Sequence, residues 1–302
     1  MTRAEVKLFR MGFRCALLLA FAVVYATAST VKPEERKCGV YKPGGLVKAN
    51  GTPDPKHAGL GEFPWTVAIF KSNVITCAGS LIQPNVVLTA AHCVKDVKKE
   101  DLKIKAGLWN VNTKNQQYPS EERAVSQIVS HPEFVNDGKQ IKNDIALIVL
   151  EKPFDLADHI GLACVAKKDH VEKSKVCYAA GWGKESQDGK AATVLKKMLL
   201  PTVTKEDCEK KLKTKTPNFT VPDNAICAGG DKASTCIGDG GAALTCQVEP
   251  PTENRYVQSG ITSSGAGCVN EIPGVYTKVA AYRDWIDEQV RKLGLEPKRY
   301  TI

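Results

Sequence analysis

The sequence predicts an all-β protein of short strands, closed by one C-terminal helix and held by five disulfides. Three observations predict it. Apolar, β-branched runs of four to seven residues recur between turn signals, one stripe alone has helical spacing, and the cysteines are even in number once a leader is set aside.

Of the 302 residues, 43% are apolar and 25% charged, a globular balance that excludes a fibrous or disordered chain. A chain of this size buries a core without help from a metal. Arg3, Lys7, Arg10 and Arg14 form a basic start, followed by the apolar run Cys15–Ala26. That run is well short of the roughly 20 residues a bilayer span needs. It precedes Ala26-Thr27-Ala28, an A-x-A cleavage pattern, so residues 1–28 read as a secretory signal peptide, with a mature start at Ser29 and an extracellular destination. No other stretch is long and apolar enough to span a membrane.

Residues 29–60 are rich in Pro, Gly and Lys, show no period, and read as a leader or linker. Strand-like runs follow at Trp65–Phe70, Val86–Thr89, Ile145–Leu150, Val176–Ala180, Val257–Thr262 and Gly274–Val279, a pattern of barrels or sandwiches. Val279, Tyr282, Trp285, Ile286 and Val290 recur at helical spacing, which places Arg283, Asp284, Glu288 and Arg291 on a solvent face. The domain is expected over 61–291, with 292–302 as a tail.

Eleven cysteines are present, and Cys15 leaves with the signal. The other ten match an oxidising compartment and predict five disulfides with no spare thiol. A zinc site is disfavoured, because no C-x-x-C pair occurs and His92 beside Cys93 stands alone. The net charge is +9. The lysine-rich stretches Lys95–Lys105 and Lys205–Lys215 are interleaved with acids and read as solvated surface, with weak polyanion attraction as the alternative. Asn50 and Asn218 head N-x-T sequons and are candidate glycosylation sites.

Thr89-Ala90-Ala91-His92-Cys93 places a histidine at the end of a buried strand. Asn143-Asp144-Ile145-Ala146-Leu147 places an acid before another strand, at a rim. Cys236-Ile237-Gly238-Asp239-Gly240-Gly241 is a glycine-rich turn enclosing an acid. The order His, Asp, glycine-rich turn is that of one serine-protease triad. With Phe63-Pro64-Trp65, Gly181-Trp182-Gly183 and Pro273-Gly274-Val275-Tyr276-Thr277-Lys278-Val279, the chain resembles the trypsin/chymotrypsin-like serine proteases over roughly residues 60–290.

The resemblance implies two six-stranded Greek-key barrels with a C-terminal helix. It also implies the pairs Cys38–Cys164, Cys77–Cys93, Cys177–Cys246, Cys208–Cys227 and Cys236–Cys268, with Cys38 tethering the leader. It departs from the family where the chemistry sits. Gly240 stands in the place of the nucleophilic serine and has no oxygen to attack a carbonyl, which leaves His92 and Asp144 vestigial. Of the nearby hydroxyls, Ser234 and Thr235 fall at the base of the specificity pocket, where a trypsin would carry an acid. Ser263 matches a family serine, and Ser264 replaces a platform tryptophan. None of these is expected to act as a substitute nucleophile.

Gly238, Asp239, Ser234, Ser264 and Gly265 are then the remnants of an oxyanion hole and pocket. The family activates by a cut that frees an ammonium for the acid matching Asp239. The stretch Ala49-Asn50-Gly51-Thr52-Pro53-Asp54 lacks that cut, so activation by this route is not expected.

These features are most similar to the masquerade-like and clip-type non-catalytic homologues of arthropods. Only Cys38 precedes the domain, so the six-cysteine clip domain is not expected. The resemblance implies a regulatory binding protein in an extracellular protease cascade, such as melanisation or clotting in arthropod immunity. Its partner would be a protease, a zymogen or another cascade component. The alternatives are an active endopeptidase with a non-standard nucleophile and a polyanion- or microbe-binding protein. No cofactor, metal or nucleic acid is expected. Lys103, Lys105 and Lys114 leave the first-barrel loop poor in calcium-ligand oxygens.

Overall fold

The structure, a computed structural model, describes residues 36–47, 54–115, 117–137, 140–172, 174–251, 254–265 and 267–302. The expected signal peptide, the start at Ser29 and the sequon at Asn50 lie outside these residues.

The first half forms strands β1 (Thr66–Lys71), β2 (Val74–Gln83), β3 (Val86–Thr89), β4 (Leu102–Ala106) and β5 (Glu121–Ser130). A two-stranded hairpin follows, β6 (Val135–Asn136) with β7 (Ile141–Lys142), and then β8 (Ala146–Leu150). Six of these close into an antiparallel barrel in the order β1-β2-β3-β8-β5-β4. The β1–β2 turn holds Ser72 and Asn73 at φ 50° and 66°. Two residues of positive φ give a tight turn whose twist matches its strands. β8 is buried at all five positions and runs through the middle of the core. Its apolar sequence, without alternation, is what burial on both sides requires.

The second half comprises β9 (Cys164–Val165), β10 (Cys177–Gly181), β11 (Lys196–Leu199), β12 (Thr202–Val203), β13 (Ala225–Gly229), β14 (Ala243–Gln247), β15 (Tyr256–Ser264) and β16 (Pro273–Lys278). These form one barrel-like sheet in the order β11-β10-β14-β15-β16-β13-β12, with β9 pairing parallel to β15. The two ends of that path are consecutive in the chain. Pro201 lacks an amide donor and divides one run into β11, paired with β10, and β12, paired with β13.

Helix α1 (Lys205–Leu212) is capped by Thr204, whose side chain accepts from the Asp207 amide. Helix α2 (Arg283–Lys292) buries Ile286 and Val290, as its spacing predicts. Cys38–Cys164, Cys77–Cys93, Cys177–Cys246, Cys208–Cys227 and Cys236–Cys268 are the five disulfides.

One expectation is corrected. Arg283 does not face water; it is 7% exposed. Its guanidinium donates to Asp287, Thr301 and the carbonyls of Val165 and Ala166, and it lies over the Tyr300 ring. A helical wheel assigns an arginine to solvent, but a planar donor with five N–H groups can be buried when its partners match. The tail is not loose: Tyr300 is fully buried, and the Glu296 carbonyl accepts from Gln83. The end of the leader also belongs to the core. Ala58 and Leu60 are buried, and residues 56–58 hydrogen-bond to β11 and to Leu195 beside it.

Candidate functional site

β3 ends at Thr89, and a short helical turn, Ala91–Cys93, carries His92 at the barrel rim. Asp144 sits just before β8. Its neighbour Asn143 adopts φ 50°, held by bonds from its amide to the Glu133 carbonyl and from the Tyr282 hydroxyl. The two ends meet: His92 Nδ1 lies 2.7 Å from Asp144 Oδ2, and the His92 amide donates to Oδ1 at 2.8 Å. Ser263, on β15, donates to Oδ2 at 2.6 Å. Asp144 is 2% exposed. Burial alone would raise its carboxyl pKa, but the bonds and charge from His92 and the Ser263 hydroxyl outweigh it and hold the group below the usual range.

Gly240 lies across the ring from Asp144. A Cβ built on it would fall 2.5 Å from His92 Nε2. The imidazole therefore occupies space that any side chain at 240 would need. Among the described residues, no hydroxyl is hydrogen-bonded to Nε2; its contact is Cys93 Sγ at 3.5 Å. Ser263 is spent on Asp144, Ser234 donates to Asn270, and Thr235 pairs with the Tyr276 hydroxyl. Cys77 and Cys93 adjoin the ring, but their sulfurs are in a disulfide and offer no thiolate to a metal.

Asp239, fully buried, accepts at Oδ1 from the Gly183 amide (2.8 Å) and at Oδ2 from the Cys236 amide (3.0 Å). The ammonium of Lys196 lies 2.9 Å from Oδ2 and also donates to the Lys184 carbonyl. Gly181-Trp182-Gly183 is glycine-flanked for a spatial reason: a Cβ at either glycine would come within 2.5 Å of the Asp239 side chain. Sequence reading paired Asp239 only with an ammonium released by cleavage and missed Lys196. The available signal was alternation. On a strand, Lys196 shares a face with Met198, and both are buried.

Beside Gly240 opens a cavity of about 310 Å³, lined by His92, Ser234, Ser264, Gly265 and Gly274 among others. No acid lines it among the described residues. Gly238 adopts φ 94°. Among the described residues, the amides of Gly238 and Gly240 donate to no acceptor, and both residues line the cavity.

On the surface, Asn218 is exposed. In the lysine-rich stretches, Lys103 and Lys105 share Glu122, Lys205 pairs with Asp223, and Lys213 pairs with Glu209.

A family model described as "Trypsin" matches residues 53–286. Phenoloxidase-activating factor 2 of Galleria mellonella is 39% identical over 264 residues, covering 81% of this chain and 86% of that protein. Two Anopheles gambiae proteins, inactive CLIP domain-containing serine proteases A28 and A8, are each 35% identical. They cover 84% and 90% of this chain, and 68% and 76% of their own lengths. The match to the family model spans both barrels and every residue of the site, and on that ground the chain belongs to the trypsin family.

Proposed function

We propose that the chain is a secreted, catalytically inactive serine protease homologue. In this reading its cleft holds a protein partner in an extracellular cascade of the kind found in arthropod innate immunity and melanisation. The observation that carries it is Gly240: the serine position offers no nucleophile, and among the described residues no hydroxyl is hydrogen-bonded to His92 Nε2. Loss of the serine in a comparable triad costs on the order of 10⁶ in rate. The names of the relatives agree, two being called inactive and one a phenoloxidase-activating factor. Secretion is supported by the basic and apolar N-terminal pattern, the five disulfides, and the lack of a described helix long and apolar enough to cross a membrane.

His92 and Asp144 are then vestigial as catalysts, while Gly238, Asp239, Ser234, Ser264 and Gly265 shape the retained cleft. Lys196 serves this reading because it neutralises Asp239 without any cut in the chain. A binding role through the basic surface draws less support, since Lys103, Lys105, Lys205 and Lys213 are paired with acids.

The test is labelling of the purified protein with a serine-directed fluorophosphonate probe. No labelling is expected. Stoichiometric labelling at one serine would overturn the reading and identify a nucleophile.

A further inference from the structure

The cleft lacks a nucleophile but keeps its donors, and their arrangement suits one chemical class. We propose that it receives the free C-terminal carboxylate of a peptide chain, with an uncharged terminal side chain seated in the 310 Å³ cavity. This rests on the proposed role as a cleft-binding homologue and names what the cleft binds.

Three donors belong to residues that line this cavity. Two are the backbone amides of Gly238 and Gly240, which donate to no acceptor among the described residues. The third is His92 Nε2, whose other ring nitrogen is anchored by Asp144 at 2.7 Å. In an intact triad a serine oxygen stands between the imidazole and the ligand. Here no oxygen intervenes, so the ring faces the ligand directly. An internal peptide bond presents a single oxygen, which the two amides satisfy, and leaves Nε2 opposite an amide nitrogen. A carboxylate presents two. One oxygen takes both amides, and the other takes the Nε2 proton, making charge-assisted bonds roughly twice as strong as neutral ones. The ring then carries both protons, the second drawn from solvent, and lies between the ligand and Asp144. Asp144 is the titratable group hydrogen-bonded to the ring among the described residues.

The acid across the ring, Asp144, is bonded to His92 and Ser263. The acid closest in sequence, Asp239, is buried and already paired with Lys196. The cavity walls are hydroxyls and glycines, with Ile272 at the side and Ile237 at the surface, so an uncharged side chain fits better than a basic one. Chains with new C-termini of this kind are what a protease of uncharged specificity releases. The cleft would therefore sense a partner after it is cut.

The probe is fluorescein-labelled Ala-Ala-Pro-Leu, prepared as the free acid and as the C-terminal amide, and titrated into the signal-free protein by fluorescence polarisation. The free acid is expected to bind at least tenfold tighter than the amide. His92→Ala should abolish most of that preference, bringing the acid and amide affinities together. His92→Gln, which keeps an N–H without the charge, should retain part of it, and melting curves confirm that both variants fold. Equal affinity for acid and amide would overturn the carboxylate proposal while leaving the cleft as a peptide site. Failure of both peptides to bind would overturn it together with the cleft-binding role.

Discussion

The ammonium of Lys196 lies 2.9 Å from Oδ2 of Asp239, and the two side chains are 9% and 0% exposed. In the family this acid is expected to wait for an ammonium freed by cleavage. Here one strand supplies the cation to a turn 43 residues away. The turn that carries Gly238 and Gly240 is thereby fixed from behind.

Lys196→Ala leaves a buried carboxylate facing no cation. Removing one partner of a buried pair costs about 3–5 kcal/mol. For a domain of this size that lowers the melting temperature by about 10 °C or more. The double change Lys196→Ala with Asp239→Asn should recover part of the loss, because the orphan charge goes with it. Additive losses in a thermal melt would show that the pair is not coupled.

Gly240→Ser does more than restore a hydroxyl. Its Cβ would sit 2.5 Å from His92 Nε2, so the ring must swing aside or the turn must shift. Overpacking of this kind costs about 1–3 kcal/mol. The variant is expected to melt lower than the parent and to label with fluorophosphonate slowly. Undiminished stability would mean that the ring yields freely.

Ser263→Ala removes a charge-assisted bond to buried Asp144, with an expected cost of about 1.5–3 kcal/mol. It should also raise the Asp144 pKa, since that hydroxyl is among the groups holding it down. The sign of the pH effect follows. A carboxyl with a depressed folded value adds stability above its unfolded value, near 4, and loses it as pH falls through the folded one. Glu172, lowered chiefly by His170 and Ser259 against the pull of burial, acts in the same direction. Parent stability should therefore fall steeply below about pH 4. In the variant the part due to Asp144 should be smaller and should be lost at higher pH. Urea melts between about pH 2 and about pH 6 measure both.

Arg283→Lys should behave as a core substitution. Lysine cannot reach Asp287, Thr301 and two carbonyls at once, and each buried acceptor left bare costs about 1–3 kcal/mol. A change within about 0.5 kcal/mol, the range of ordinary surface substitutions, would return Arg283 to the solvent face that the helical spacing assigned to it.

Local sequence determined a good deal. Val86–Thr89 and the apolar run into β8 identify themselves as strands, because period and β-branching are properties of short segments. The stripe through Ile286 and Val290 identifies α2 for the same reason. His92, Asp144 and Gly240 were legible in motif order, and Gly240 announces the missing oxygen by its identity alone.

Tertiary structure decided the rest. Which cation meets Asp239, whether Arg283 finds four partners, how residues 56–58 and Tyr300 join the core, and where the His92 ring sits once the serine is gone all depend on contacts between distant segments. A lysine or arginine is assigned to solvent by default, because burying a charge costs more than its own segment can repay. Only the closed barrels bring the compensating oxygens within about 3 Å, the reach of a hydrogen bond, and no local pattern in the sequence records that approach.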